Sequence, residues 1–491
     1  MNPSIFSRAA RFTDRTAISD EHGDHDYGRL LEAGRALASA LAGGKPGRRV
    51  AFLAEPGLEW ASTLWGVWLS GGVAVPLSSL HPVPELEYAL ENSDADVLIG
   101  SAGFEDRLRP LARKQGLEFL SWSAAAAGRQ VELPAVDVAW PAMILYTSGT
   151  TSRPKGAVTT HRQIEAQIAS LVNAWEYNSR DRLLHVLPLH HLHGILNALL
   201  CPLWVGAAVE MAPRFDAADV WRRIARGGIT LFMAVPTVYV RLIAFWENAA
   251  PAAREEMSRA AGKLRLMVSG SAALPVGILE KWRRITGQTL LERYGMTEIG
   301  MALSNPLAGP RIPGAVGSPL PGVDLRLVGE DGGPVDPGVP GEIQVKAPSV
   351  FLEYWRNPAA TAAAFTADGW FKTGDIAAAE EGVFRILGRD GVDIIKTGGY
   401  KISALEIEEV MRTHPGVEDC AVVGLADPEW GQVSAAAVTP KPGISLGPDE
   451  LKTFLKAELA PYKIPKRYLL TATLPRNAMG KIVKKAVADM F

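Results

Sequence analysis

Residues 146–157 read YTSGTTSRPKGA, Tyr146 to Ala157, and follow an uninterrupted apolar run from Ala142 to Leu145. The apolar run predicts a buried strand, and the small and hydroxyl residues after it, closed by Pro154-Lys155-Gly156, predict a loop at the strand's end. Thr147, Ser148, Thr150 and Thr151 offer hydroxyl donors, Gly149 lets backbone N–H groups approach an oxygen closely, and Lys155 adds a point charge. A solvated turn would have the same composition. The lysine after the strand–loop transition favours a phosphate cradle instead. It is not a Walker A loop, because Lys155 precedes Gly156 rather than following a glycine.

The rest of the chain sets the frame around that loop. At 491 residues it is too long for one ordinary core, so two or more domains are expected. A hydrophobic content of 47% and a net charge of −2 describe a globular protein with no general attraction to nucleic acid or to an anionic membrane. Two distant cysteines, Cys201 and Cys420, have no metal spacing and suit a reducing compartment, the cytoplasm or, in a eukaryote, the mitochondrial matrix. No continuous apolar stretch follows Arg8, Arg11 and Arg15, which excludes a secretory signal. Trp60 to Pro84 carries no charge and is long enough to span a bilayer, but Gly71-Gly72 and Pro76 interrupt it; it reads as a buried helix, a turn and a core strand near Val73 to Pro76.

From Arg49 onward short apolar runs alternate with helical patterns. Val50–Leu53, Val97–Ile99, Leu183–Leu187, Ile229–Val235 and Leu264–Val268 read as strands, and Gln163–Trp175 and Ala217–Arg226 as helices. The alternation predicts an α/β fold of mostly parallel sheets covered by helices, with ligands gathered beyond the strands' carboxyl ends. After Gly314 the pattern changes to strands joined by Gly/Pro turns, an antiparallel β subdomain over about 315–388. Residues 1–388 are assigned to a large N-terminal domain and 389–491 to a small, mobile α+β C-terminal domain, with a hinge within Arg389 to Asp393.

Further stretches follow the phosphate loop in a fixed order: Ser269-Gly270-Ser271-Ala272-Ala273, LERYGMTE over Leu291 to Glu298, Thr373-Gly374-Asp375 with Arg389, IIKTGGYKIS over Ile394 to Ser403, and PRNAMGKI over Pro475 to Ile482. Each alone is weak; together, from Pro141 to the C-terminus, they resemble the adenylate-forming superfamily of acyl-CoA synthetases, luciferases and adenylation domains. The resemblance implies an ATP- and Mg²⁺-dependent ligase. Its adenine would lie on Gly270, Ser271 and Ala272 and stack on Tyr294. Thr297 would meet the α-phosphate, Glu298 would carry the metal, Asp375 would hold the ribose, and Arg389 would hold ribose or phosphate. Gly398, Gly399 and Tyr400 would line the CoA path, and Lys481 would be the catalytic lysine at the α-phosphate. Two departures stand out: Ser152 occupies a position where the family usually has glycine, and one extra residue separates Arg389 from the Gly-Tyr pair, leaving Asp390, Gly391 and Asp393 as hinge candidates.

The acid substrate is read from two stretches. LPLHHLHG, Leu187 to Gly194, holds three histidines in four positions, which invites zinc, but no carboxylate or cysteine spacing accompanies them. The resemblance places His191, also a catalytic candidate, between the acyl pocket and the thiol tunnel. Arg293 stands where relatives taking neutral acyl chains carry an uncharged residue; a guanidinium in the acyl pocket implies a second carboxylate on the substrate, unless it merely pairs with Glu292 or Asp324. Ser269, His191, Leu192 and Met301 would bound the remainder of a small pocket. These stretches resemble the malonyl-CoA synthetase branch: malonate, and a methylmalonate alternative, joined to CoA through an acyl-adenylate. Other readings are a different small acid, an adenylation enzyme loading a carrier protein, or a nucleotide-binding sensor. Pro475 followed by Gly480-Lys481 also resembles a site modified by protein acetyltransferases, a further expected partner.

Overall fold

The computed structural model describes residues 3–42, 45–128, 131–147, 154–397, 400–477 and 481–491, without the Lys401 side chain. The expected phosphate-loop residues Ser148, Gly149, Thr150, Thr151 and Ser152, and the expected CoA-path residues Gly398 and Gly399, lie outside them.

Two large sheets face each other across a layer of helices. One has seven strands, in spatial order Glu353–Tyr354, Lys155–Thr160, Pro141–Thr147, Val73–Pro76, Arg49–Leu53, Val97–Gly100 and Glu118–Ser121. The other has nine, and its centre runs Leu291–Met296, Leu266–Ser269, Leu231–Ala234, Arg182–His185 and Ala208–Met211, all mutually parallel. Both are parallel in the middle; the nine-stranded sheet is antiparallel at both edges, and the seven-stranded one only at its Glu353–Tyr354 edge, its other edge pair, Val97–Gly100 with Glu118–Ser121, being parallel, in line with the α/β expectation. Val50, Phe52 and Met143 of the first sheet and Leu183, Val209 and Met233 of the second belong to one buried cluster with Trp65 and Trp68 of the intervening helix Leu58–Leu69. That helix buries residues on every side, which explains its lack of charge after Glu59. It crosses Tyr27–Ala40 so closely that a Cβ on Gly66 would stand 2.5 Å from Leu37 Cβ. The uncharged stretch is therefore core helix and core strand Val73–Pro76, and among the described residues no helix is long and apolar enough to cross a membrane.

The structure adds two features that matter for the site. The phosphate loop joins Pro141–Thr147 to an antiparallel neighbour, Lys155–Thr160, with Thr147 opposite Lys155; a short connection can close only an antiparallel pair. Arg293, Tyr294 and Gly295 do not form a loop beyond a strand's end. They continue the strand Leu291–Met296, whose first residues pair in parallel with Leu266–Ser269 and whose later ones turn to antiparallel pairing with Gly300–Ser304. Gly300, at φ 71°, makes the return turn, and a side chain there would collide with Gln167, whose amide oxygen accepts the Met301 N–H.

Four antiparallel strands follow, Asp324–Val328, Gly341–Lys346, Phe371–Glu380 and Val383–Arg389. The last sheet combines Tyr400–Ser403, Ile394–Thr397, Gly431–Pro440 and Val417–Asp427, with Arg467–Leu470 parallel to Gly431–Pro440. Helices Ala404–Arg412 and Pro448–Glu458 cover it through Ile407, Met411, Leu451 and Leu455.

Candidate active site

Asp375 and Arg389 face each other across the strands Phe371–Glu380 and Val383–Arg389. Arg389 Nε lies 4.0 Å from Asp375 Oδ1, and its Nη2 donates to the Thr373 carbonyl at 3.0 Å. The Tyr294 hydroxyl donates to Asp375 Oδ2 at 2.5 Å, so the aromatic face on one sheet and the carboxylate on the other are locked together. Burial pushes the Asp375 carboxyl up, while the charges of Arg389 and Lys481 pull it back. Lys481 is thus brought from the chain's far end to the same neighbourhood. Its own loop is closed by Asn477, which accepts the Lys481 N–H on Oδ1 at 3.0 Å and donates its N–H to the Lys481 carbonyl.

A second group gathers around Glu298. Its carboxylate is buried and accepts the Tyr354 hydroxyl on Oε1 at 2.8 Å. Lys155 Nζ stands 4.9 Å from the centroid of the same tyrosine ring. Burial raises the Glu298 carboxyl; the tyrosine hydrogen bond and the charges of Arg389 and Lys155 oppose it. Thr297 is half-buried in the turn before Glu298, and Thr147 donates to the Lys155 carbonyl across the hairpin. Tyr354 escaped the sequence reading because it sits on a two-residue strand that periodicity cannot detect. A single buried carboxylate beside two cations fits an Mg²⁺ that arrives with phosphate oxygens as its main ligands, and no group of three or more acidic, His or Cys side chains suited to a metal occurs among the described residues.

The third group is a cluster of buried polar side chains from Leu266–Ser269, Leu291–Met296 and the π-helix His193–Leu200, with Ser271 beside them. Arg293 is 3% exposed, its Nε has no partner, and its Nη2 donates to Ser271 Oγ at 3.3 Å. It forms no ion pair with a carboxylate among the described residues; Glu292 instead accepts the Gly314 N–H, so structural pairing with Glu292 or Asp324 is not what holds it. Burial pushes the guanidinium down to about 9. Gly270 is required where it stands, since a Cβ there would lie 2.6 Å from Arg293 Cζ. Ser271, at φ 68°, points its hydroxyl to both Arg293 and His193 Nδ1, the latter at 3.3 Å, and Ala272 next to it is exposed. Ser269 is wholly buried with an unpartnered hydroxyl.

The histidines divide. His190 and His191 lie against each other with ring centroids 4.0 Å apart and planes tilted by 49°, and burial pushes His191 down to about 4, leaving a neutral imidazole whose Nε2 is unpartnered. His193 is the one that reaches Ser271 and feels Arg293. Spacing does not separate three neighbouring imidazoles; the helix that begins at His193 brings that one to Ser271. Leu192 and Met301 are buried nearby in the large core, Met301 opposite Gly295. Tyr400 stands apart, on an edge strand, 54% exposed and stacked on Tyr462 at 4.5 Å.

The AMP-binding enzyme family matches residues 5–355, and the AMP-binding enzyme C-terminal domain matches residues 406–481. The mitochondrial malonate–CoA ligase ACSF3 of Mus musculus is 46% identical over 520 residues, covering 98% of this chain and 89% of that protein. ATP-bound MatB from Rhodopseudomonas palustris superposes with a TM-score of 0.92 at 33% identity, over 100% of this chain and 99% of that one. A malonyl-CoA ligase in a ternary product complex with methylmalonyl-CoA and AMP gives 0.71 at 37% identity, over 94% and 97%. Matched by both family models along most of its length and by a relative at 46% identity, the chain belongs to the AMP-binding enzyme family.

Proposed function

We propose that this protein is an AMP-forming ligase that joins malonate to CoA. Malonate and ATP give malonyl-adenylate and pyrophosphate; the CoA thiol then displaces AMP, giving malonyl-CoA. The observation that carries the acid's identity is Arg293, a buried guanidinium with no carboxylate partner. An unpaired buried charge is costly, and a substrate carboxylate with two oxygens for its parallel N–H donors removes that cost. The names of the mouse relative and of the ternary-complex enzyme support the same acid.

In this reading Asp375 and Arg389 hold the ribose, and Tyr294, fixed by its hydrogen bond to Asp375, offers its ring to adenine. Gly270, Ser271 and Ala272 would border the base. Lys155 and Lys481 neutralise phosphate charge as carboxylate oxygen attacks, with Thr297 beside them. Mg²⁺, held by Glu298, would add Lewis-acid charge on phosphate oxygens. His191 sits between the acid pocket and the thiol path, with Leu192, Met301 and Ser269 bounding the pocket. CoA would enter along Tyr400 after a rotation of the C-terminal domain, 389–491, about residues 389–393. Gly388 at φ 134° borders that link and Gly391 at φ 72° lies within it, backbone conformations that glycine adopts without strain. The compartment is the cytoplasm, or the mitochondrial matrix in a eukaryote, as in the mitochondrial mouse relative.

The test is acid-dependent pyrophosphate exchange over a panel of mono- and dicarboxylates, repeated with CoA. Malonate should lead, with methylmalonate the next candidate. Arg293→Met should lose malonate kcat/KM by roughly thirty- to several-thousand-fold, the equivalent of about 2–5 kcal/mol, and acetate far less. A parent enzyme that prefers a monocarboxylate would remove the malonate reading and leave the ligase.

A further inference from the structure

Asn197 is 0% exposed, and neither its Nδ2 nor its Oδ1 has a partner. A buried amide with both ends unsatisfied is rare in folded proteins and points to a ligand or a bound water. The residue lies on the π-helix His193–Leu200, a helix type that is uncommon and recurs at functional sites. Four positions earlier on that helix, on nearly the same side, His193 meets Ser271, which in turn accepts from Arg293. From the other direction the Tyr177 hydroxyl donates to the main-chain carbonyl of Asn197 at 2.8 Å and lies within electrostatic reach of the Arg293 guanidinium. Two neighbours of Asn197, His193 on its own helix and Tyr177 on its main chain, thus adjoin the guanidinium, and three polar atoms of the neighbourhood, Arg293 Nε, His193 Nε2 and Ser269 Oγ, are likewise buried and unpartnered.

We propose that Asn197 is a specificity-determining residue of the acid pocket, its amide donating to the second carboxylate of the substrate that Arg293 holds by charge. The inference rests on the dicarboxylate reading above and adds to it a neutral, orienting donor. Arg293 alone would accept any anion of suitable size. An amide fixed on a second element, by contrast, sets the direction in which the two carboxylates diverge, and so favours a short diacid over a longer one. The neighbouring His193, neutral beside a cation, keeps the Ser271 hydroxyl aligned without adding charge.

The experiment is Asn197→Leu, a near-isosteric change that deletes both unsatisfied groups, read in the full-length enzyme by thermal melting without ligand and by KM for malonate, succinate, ATP and CoA. The expected result is a melting temperature equal to or above the parent's, a malonate KM raised at least tenfold, a smaller rise for succinate, and KM values for ATP and CoA within twofold. A malonate KM within twofold of the parent's would overturn the proposal, as would a clear fall in melting temperature, which would show that the amide serves the fold. Asn197→Ala reads the same KM ratios should leucine not be accommodated. Failure of the dicarboxylate reading looks different: it shows in the parent enzyme, as a preference for monocarboxylates, before any variant is made.

Discussion

Glu409, on the helix Ala404–Arg412 of the C-terminal domain, accepts the Val276 N–H on Oε1 at 2.7 Å and so caps the helix Val276–Thr286 of the large domain. That helix begins after Pro275 with no side-chain cap of its own. A carboxylate at a helix N-terminus satisfies orphan N–H groups and opposes the positive end of the dipole. The contact thus works as a latch that holds the C-terminal domain where Lys481 reaches the Asp375 neighbourhood.

Glu409→Ala removes that latch. Loss of a cap is worth about 1–2 kcal/mol, so pyrophosphate exchange should fall by up to about 5- to 30-fold, while thioester formation from supplied malonyl-adenylate is not slowed. Equal loss in both half-reactions would show that the residue serves general stability instead.

Tyr354→Phe deletes the hydroxyl that Glu298 accepts. That bond favours the ionised carboxylate, so without it the group, already raised by burial, ionises at still higher pH. The acidic limb of kcat/KM for ATP should move upward by about one pH unit, since a hydrogen bond to a charged group is worth about 1.5–3 kcal/mol. A pH–rate profile from 5 to 9 that superimposes on the parent's would rule this out.

Glu292 is buried, and burial raises its carboxyl from 4.5 to about 8, with Glu409 nearby adding to the rise. A group raised on folding contributes stability that is complete below its unfolded value and is lost as pH climbs through the folded one. The window is therefore about 4.5 to 8. Glu292→Gln, which keeps the acceptor for Gly314, should match the parent near pH 4.5 and exceed it above pH 8, by on the order of 3–5 kcal/mol in urea unfolding. Parallel stability curves for the two proteins across that range would contradict it.

Lys481→Ala should cut adenylate formation by about two to three orders of magnitude, the cost of removing one preorganised charge contact, and spare thioester formation from supplied adenylate. Acetylation of the same side chain, expected from its sequence surroundings, would remove its charge and act alike. Mass spectrometry of protein incubated with an acetyltransferase and acetyl-CoA reads the first point; exchange activity of the modified protein reads the second.

Sequence alone marked several of the longer elements and the order of the motifs. Apolar runs marked the strands Arg49–Leu53, Val97–Gly100 and Leu231–Ala234, and helical spacing marked Ala217–Arg226, because period and burial are local properties of a chain. Motif order carried the family. Tertiary structure alone decided which residues meet. Tyr294 and Asp375 come from different sheets, Tyr354 and Glu298 are joined only when a two-residue edge strand folds back, and Lys481 reaches the site from a separate domain. The strand character of Arg293 to Gly295 also waited for the structure, since the pairing partner Gly300–Ser304 is what makes it a strand. Above all, a sequence cannot show that a guanidinium has no carboxylate beside it or that an asparagine's amide is unsatisfied. Those are properties of the space around a side chain, and three stretches distant along the chain, 193–200, 266–271 and 291–296, must come together before that space exists.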